Sequence, residues 1–273
     1  MEKISFVKMA AAGNDFIVID LRHGSWVMGH GSWVKKMCDR KFGVGADGLL
    51  ALEKSKVASV KMRVFNADGS EAEMCGNGAR CAALYINQRS KVKGQRSRIE
   101  ARAGIIEAEV RKDKVKIKLP DPKGIKLDLP LAVSGRALKV NFINTGVPHT
   151  VIFVEGLDKI DIPGLGRQIR YHQSFKPAGT NVDFVEVAGR NNIKVRTYER
   201  GVEDETLACG TGSAASALIF ALKSGARGKV RCLTRSKEVL TIYFNKAGHQ
   251  FSDVWLEGPA RIVFKGEAFV KER

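Results

Sequence analysis

Long hydrophobic runs are missing from this 273-residue chain. No apolar stretch approaches the roughly 20 residues that a helix needs to cross a bilayer, so no membrane span is expected. The N-terminus, MEKISFVK, lacks an apolar signal region with a small-residue cleavage site behind it, and the chain is therefore expected in the cytoplasm. Cysteines are few: 38, 75, 81, 209 and 232. Five is an odd number without framework spacing, which speaks against a disulfide scaffold. Cys75 and Cys81 have no histidine near them, and their spacing suits no common zinc pattern, so no metal site is expected. Acidic residues are also in short supply, 29 against 46 basic ones, for a net charge of +17. The basic residues are scattered over loops and alternating strand faces. No helix-turn-helix, paired Cys/His motif or aromatic-and-basic platform accompanies them, so the charge reads as a solvated surface and no nucleic-acid partner is expected. A basic nucleic-acid-binding protein is kept only as a distant alternative.

A convincing dinucleotide fingerprint is absent too. The run from Gly210 to Ala215 (GTGSAA) matches a loose Gly-x-Gly-x-x-Ala pattern, but a loop, Gly201 to Thr206 (GVEDET), precedes it where a strand is required. No cofactor is expected.

What the chain does have is a repeat. The run from Glu73 to Ile86 (EMCGNGARCAALYI) and the run from Leu207 to Phe220 (LACGTGSAASALIF) each place a cysteine before Gly-x-Gly and a small-residue, apolar helix pattern. The cysteines are Cys75 and Cys209, 134 residues apart and close to half the chain length. Upstream, Val60–Asn66 (VKMRVFN) lies opposite Ile193–Glu199 (IKVRTYE), Gly45–Glu53 opposite Gly179–Val187, and Ala12–Phe16 (AGNDF) opposite Thr145–His149 (TGVPH). A period this long is too large for a solenoid unit and fits two homologous domains.

Alternation predicts strands near 3–9, 15–20, 48–53 and 60–66, then at 97–102, 105–110 and 114–119, with helices near 32–41 and 76–89. The second half repeats this with strands near 138–145, 149–154, 181–188, 192–199, 229–235, 238–244, 253–257 and 261–269, and a helix near 211–223. Short connections imply mainly antiparallel pairing. The two glycine-led helices are apolar nearly all round and should be buried, with sheet wrapped around them. The expected fold is α+β: two pseudo-symmetric domains, each a mainly antiparallel sheet or barrel around a central helix. The proline-rich stretch Pro120–Pro130 (PDPKGIKLDLP) reads as the linker. The domains are placed at 1–121 plus 262–273, with Cys75, and at 122–261, with Cys209, the last strand being one to spare and able to cross back.

Two thiols at two helix starts suggest a definite chemistry. A helix N-terminus favours a thiolate. Inverting an α-carbon needs one group to remove a proton from one face and another to deliver a proton to the opposite face. A thiolate and a thiol meet that need near neutral pH. Backbone N–H groups of Gly76–Gly78 and Gly210–Gly212 can aim at the substrate carboxylate and stabilise the carbanion, the glycines allowing close approach and unusual dihedrals.

At these residues the chain resembles the diaminopimelate epimerases. The resemblance rests on Met74–Cys81 (MCGNGARC), on Tyr198–Val202 (YERGV) with Thr206–Ser213 (TLACGTGS), and on Phe6–Met9, Gly13–Phe16, Arg40–Leu49, Phe65–Ser70, Pro148-His149 and Gly179–Phe184. It implies cofactor-independent epimerisation of LL- to meso-diaminopimelate, on the route to lysine and peptidoglycan, by a homodimer. It implies Cys75 and Cys209 as the acid/base pair, with Gly76, Asn77, Gly210 and Thr211 at the reacting carboxylate. Asn14, Asn66, Asn181, Glu199 and Arg200 are implied to bind the substrate's amino-acid ends, and His149 and Glu199 to adjust the thiols. The alternative is another two-cysteine enzyme such as a proline or hydroxyproline racemase or epimerase; proline-type members carry His where this chain has Asn77. Two departures stand out: Val147 where many relatives have Asn, and Gly48 where some have Gln. The repeated GSWV at 24–27 and 31–34 has no functional reading.

Overall fold

Alternating residues become strands wherever one face has a helix to pack against. The computed structural model of the chain describes residues 2–23, 31–90 and 96–270. The first GSWV copy lies outside the described residues. The chain divides into two units, Met1–Ile117 with Gly258–Arg273, and Lys118–Glu257.

In chain order the first elements are β1 (Glu2–Ala11), β2 (Asn14–Asp20), α1 (Gly31–Cys38), β3 (Gly48–Glu53), β4 (Val60–Asn66), β5 (Glu71–Ala72), α2 (Gly76–Arg89), β6 (Arg96–Ala101), β7 (Gly104–Arg111) and β8 (Lys114–Lys118). Then follow β9 (Lys123–Val133), β10 (Arg136–Asn144), β11 (Pro148–Phe153), α3 (Ile162–Arg170), β12 (Asn181–Gly189), β13 (Asn192–Glu199) and β14 (Asp204–Thr206). The last are α4 (Gly210–Ser224), β15 (Lys229–Leu233), β16 (Val239–Ala247), β17 (Gln250–Pro259) and β18 (Arg261–Val270).

The two units pair their strands in the same way. In the first, β18, β1 and β2 are antiparallel, β2 and β3 parallel, β3 and β4 antiparallel, β4 and β6 parallel, and β6, β7 and β8 antiparallel. In the second, β9, β10 and β11 are antiparallel, β11 and β12 parallel, β12 and β13 antiparallel, β13 and β15 parallel, and β15, β16 and β17 antiparallel. Each parallel pair is spanned by a helix, as parallel strands require. The spare C-terminal strand does cross back: β18 runs against β1 from Glu2↔Val270 to Ala10↔Arg261, in the place that β9 takes beside β10.

Each sheet buries a helix on both faces. Helix α2 packs on β1, β2, β3, β4, β6, β7 and β18, and α4 on β10, β11, β12, β13, β15 and β16. Their small residues permit this: Ala79, Cys81, Ala82 and Ala83 in α2, and Ala214, Ala215, Ala217 and Ala221 in α4, are all fully buried. On the opposite face, Val34, Met37 and Cys38 of α1 join Ile17, Ile19, Leu49 and Ala51. Ile162 and Ile169 of α3 join Val182, Phe184 and Tyr198 in the same manner.

Three expectations need correction. The stretch Pro120–Pro130 is mostly strand, not linker: Lys123–Val133 forms β9, and Pro130 sits opposite Lys139. Among the described pairings β9 has only β10 beside it, so the missing N–H of Pro130 breaks no second ladder. Helix α3 was not foreseen. Asp161 caps it by accepting the Gly164 N–H at 3.0 Å, and Pro163 sits in its first turn. Gly164 and Gly166 hide the helical signal, yet Gly166 is what seats α3, because a Cβ there would lie 2.6 Å from the Tyr198 side chain. Finally, α1 ends at Cys38 rather than near residue 41.

Candidate active site

In both units the central helix begins directly after its cysteine. Cys75 is the N-cap of α2, with φ −139° and ψ 118°, and its Sγ accepts the Gly78 N–H at 3.4 Å. Cys209 is the N-cap of α4, with φ −113° and ψ 117°. Extended backbone at the cap followed by helix leaves the first N–H groups of each helix unused by the helix itself. The glycines after each cysteine do not take the unusual dihedrals expected of them; none of Gly76, Gly78, Gly210 and Gly212 has a positive φ. Their role is space. A Cβ on Gly78 would come within 2.9 Å of the Leu50 side chain, and one on Gly212 within 2.3 Å of Asp183 Oδ1.

In the first unit, amides and charges form a linked network that reaches Asn77 of α2. Ala12 and Gly13 both take positive φ, 49° and 91°, in the tight turn that sets Asn14 at the head of β2. Asn77 Nδ2 donates to Asn14 Oδ1 at 2.5 Å, and Asn14 Nδ2 donates to Asp47 Oδ2 at 3.1 Å. The fully buried Arg80 donates to Asn77 Oδ1 at 2.6 Å, which fixes the orientation of that amide. Arg40 bridges Asp15 and Asp47 at 2.8 and 2.7 Å, and Lys8 pairs with Asp15 at 2.8 Å. Burial alone would raise the Asp15 carboxyl, but hydrogen bonds from Arg40 and Lys8 overcome it and hold the group well below the usual carboxylate range. Asn66 ends β4, opposite Gly48, and its Nδ2 donates to Ser70 Oγ at 3.0 Å. Gly48 itself answers a steric demand, since a Cβ there would lie 2.6 Å from the Phe65 carbonyl oxygen.

In the second unit a hydrogen-bonded line ends at the thiol. Asp183 Oδ2 lies 2.7 Å from His149 Nδ1, His149 Nε2 lies 3.0 Å from Thr211 Oγ1, and Thr211 Oγ1 lies 3.4 Å from Cys209 Sγ. Thr197 donates to the other oxygen, Asp183 Oδ1, at 2.7 Å. Asn181 has both ends engaged: Nδ2 donates to the Pro148 carbonyl at 3.0 Å, and Oδ1 accepts the Arg200 N–H at 2.8 Å. It braces the segment that carries Glu199 and Arg200. The Arg200 guanidinium donates to the Ala178 carbonyl at 3.3 Å. Burial pushes the Glu199 carboxyl up, opposed by Thr206 and by His149.

All five cysteines stand as thiols. The dipole argument, by which a helix start lowers a thiol, does not carry Cys209. Burial comes first, then the charges of Glu199 and Asp183, and together they push it well up against the smaller opposing pull of Thr211 and the Gly212 N–H. Burial raises Cys38 to about 11 and Cys81 to about 12, and raises Cys232 as well. These three behave as small buried hydrophobes. Among the described residues no three His, Cys, Asp or Glu side chains come together in a way that holds a metal ion, and no helix is long and apolar enough to cross a membrane.

The diaminopimelate epimerase family model matches residues 6–122 and 141–263. A diaminopimelate epimerase of Aquifex aeolicus is 45% identical over 275 residues, covering 96% of this chain and 97% of that protein. The chain belongs to the diaminopimelate epimerase family. Solved structures share the fold at much lower identity. A phenazine biosynthesis protein of the PhzF family from Bacillus anthracis superposes with TM-score 0.76 at 17% identity, covering 99% of this chain and 100% of that one. A probable proline racemase from Agrobacterium radiobacter, with bound carbonate, superposes with TM-score 0.72 at 12% identity, covering 98% and 93%.

Within this diaminopimelate epimerase fold, sequence reasoning missed Asp183, Thr197, Arg80, Arg40 and Asp47. A signal for Asp183 was present. It is a charged residue in an otherwise apolar run, VDFV, at the same strand parity as His149 relative to their helix. Aligning Gly45 with Gly179 made Leu49 its counterpart, but the faces of the sheet decide otherwise. Leu49 faces α1, and it is Leu50 that lies under α2 as Asp183 lies under α4.

Proposed function

We propose that the chain interconverts LL- and meso-diaminopimelate without a cofactor, Cys75 and Cys209 being the two proton carriers that serve opposite faces of one α-carbon. The observation that carries this reading is the pair of N-cap cysteines at equivalent places in two equivalent units, in a chain of this family. A single base tends to return the proton to the face it came from. Two carriers on two faces invert the centre.

The chemistry divides among the residues already located. Gly78 N–H at the Cys75 sulfur favours a thiolate there. Cys209, raised by burial and by neighbouring carboxylates, is held as a thiol ready to donate. An α-proton beside a carboxylate is a very weak acid. The N–H groups at the α2 and α4 starts stabilise the charge that builds on that carboxylate as the proton leaves. Asn14 and Asn77, locked by Arg80 and Asp47, present fixed amides on the first unit, and Asn66 adds another. On the second unit Arg200 is the bidentate partner for the distal carboxylate and Glu199 the acceptor for an ammonium group. Thr211 stands beside the reacting carboxylate, and His149 adjusts Cys209. Asn77 in place of the His of proline-type members, together with the Glu199–Arg200 pair, favours a substrate with a second amino-acid end. The family resemblance adds a cytoplasmic homodimer in lysine and peptidoglycan precursor supply.

Purified protein with nothing added is expected to bring either LL- or meso-diaminopimelate to the same mixture, and to leave L-proline unchanged. Chiral chromatography reads both. Proline turnover comparable to that of diaminopimelate places the enzyme in the other branch.

A further inference from the structure

The duplication supplies its own control. Under α2, on the face opposite α1, the strands β2, β3 and β4 place Phe16, Leu50 and Val64. At the matching positions under α4, the strands β11, β12 and β13 place His149, Asp183 and Thr197. The registers agree: Val18↔Leu50↔Val64 in one sheet, Val151↔Asp183↔Thr197 in the other. An apolar trio holds the first sheet to its helix, so the fold does not require polar groups there. In the second unit the same three places are polar, and His149 and Asp183 are wholly enclosed. Burying a carboxylate and an imidazole is costly unless each is partnered. Here each is: both Asp183 oxygens and both His149 nitrogens are engaged, and the line they form ends at Cys209.

We propose that Asp183 is a positioning residue that orients His149 so that Nε2 exchanges a proton with Cys209 through the Thr211 hydroxyl. The inference rests on the two-thiol reading given above. With the carboxylate at Nδ1, neutral His149 carries its proton there and leaves Nε2 as an acceptor. The Cys209 S–H bond breaks as its proton passes to Thr211 Oγ1, while the Thr211 hydroxyl proton passes to Nε2. The products are a thiolate and an imidazolium, and Asp183 remains a carboxylate throughout. The need for such an exchange follows from the reaction. After each turnover the protons sit on the wrong thiols, and in the reverse direction Cys209 must be the base. Burial opposes its ionisation, so an internal acceptor is required.

The ionisable side chains facing this place are His149 from β11, Asp183 from β12, Glu199 from β13, Cys209 at the α4 start and Cys232 from β15. Their signs make the test decisive. As a mere fixed negative charge, Asp183 would hinder ionisation of Cys209, and removing it would make the thiol more reactive. Acting through His149, its removal makes the thiol less reactive.

The experiment measures alkylation of Cys209 against pH by peptide mass spectrometry, beside turnover, in wild type, Asp183→Asn, Thr211→Val and Thr211→Ser. In Asp183→Asn and Thr211→Val the alkylation midpoint is expected to rise by about one pH unit or more, with Cys75 unmoved. In Asp183→Asn turnover is expected to fall roughly 100-fold at neutral pH with KM little changed, and to recover in part at alkaline pH. Thr211→Ser keeps the hydroxyl and should keep the wild-type alkylation midpoint. A midpoint that falls or stays in place in Thr211→Val, which threatens no buried charge, overturns the proposal, as does a lowered midpoint in Asp183→Asn. The alkylation readings need no substrate. If diaminopimelate is not turned over while the midpoints move as expected, it is the substrate reading that fails and not the relay.

Discussion

Replacing Cys75 or Cys209 by alanine is expected to lower kcat/KM for diaminopimelate by about 10³-fold or more, equivalent to about 4 kcal/mol of transition-state stabilisation. In the proposed scheme each thiol serves a face that the other does not, so neither loss is compensated. Structural damage is too small to explain such an effect. The Cys75 sulfur accepts a hydrogen bond at 3.4 Å at its helix start, and losing a stronger oxygen cap costs only about 0.5–2 kcal/mol of stability. Cys209 is small, and truncating it removes little more than one buried atom. The double variant should be no slower than the worse single one, because groups that act as a unit are not additive. Steady-state rates, with circular dichroism to confirm the fold, provide the check. A single variant within tenfold of wild type contradicts the two-carrier scheme.

Gly212→Ala is expected to be far more damaging than the matching change in the first unit. Its Cβ would sit 2.3 Å from Asp183 Oδ1 and 3.1 Å from Thr197 Oγ1. Asp183 cannot step aside, being enclosed and tied to both His149 and Thr197. Overpacking of this kind costs about 1–3 kcal/mol. Alanine's advantage over glycine inside a helix returns only about 0.5–1 kcal/mol. The net is a loss of stability, and with it a displaced Asp183, His149 and Thr211 and at least a tenfold loss of turnover, on the order of 1.4 kcal/mol. Gly78→Ala supplies the comparison. There the nearest atom is the end of the Leu50 side chain, at 2.9 Å, which can rotate away. That variant should hold wild-type stability within about 1 kcal/mol. Thermal melts and kcat of the two variants test the difference, and equal effects would remove the special status of Gly212.

Much of this was legible in the residues. Period-two alternation located most strands of both units, since each is buried on the side that faces a helix. The two Cys-Gly-x-Gly runs marked the helix starts, and the small-residue stretches after them marked the helices as central. What escaped detection has physical causes. Three prolines concealed β9, because one neighbouring strand is enough for a strand to form. Two glycines concealed α3, whose close fit on Tyr198 demands one of them. The glycines after each cysteine suggested special dihedrals, whereas the structure uses them as empty space for a leucine on one side and an aspartate on the other. Asp183 and Thr197 are polar residues within strand patterns, and the pattern does not tell what covers their face. Only the fold shows that they lie beneath a helix, where the other unit has leucine and valine.

The sharpest test of the two-carrier scheme is the first turnover of LL-diaminopimelate in D₂O, followed by mass spectrometry and NMR of substrate and product. A thiol carries a single proton, so the proton removed from one face stays on its sulfur while the opposite thiol delivers deuterium from solvent. At early times the meso product is expected to carry deuterium at the inverted α-carbon, while the unreacted LL pool still holds protium. Product that retains the substrate's own proton at that carbon would mean that one group serves both faces, and would contradict the pairing of Cys75 with Cys209.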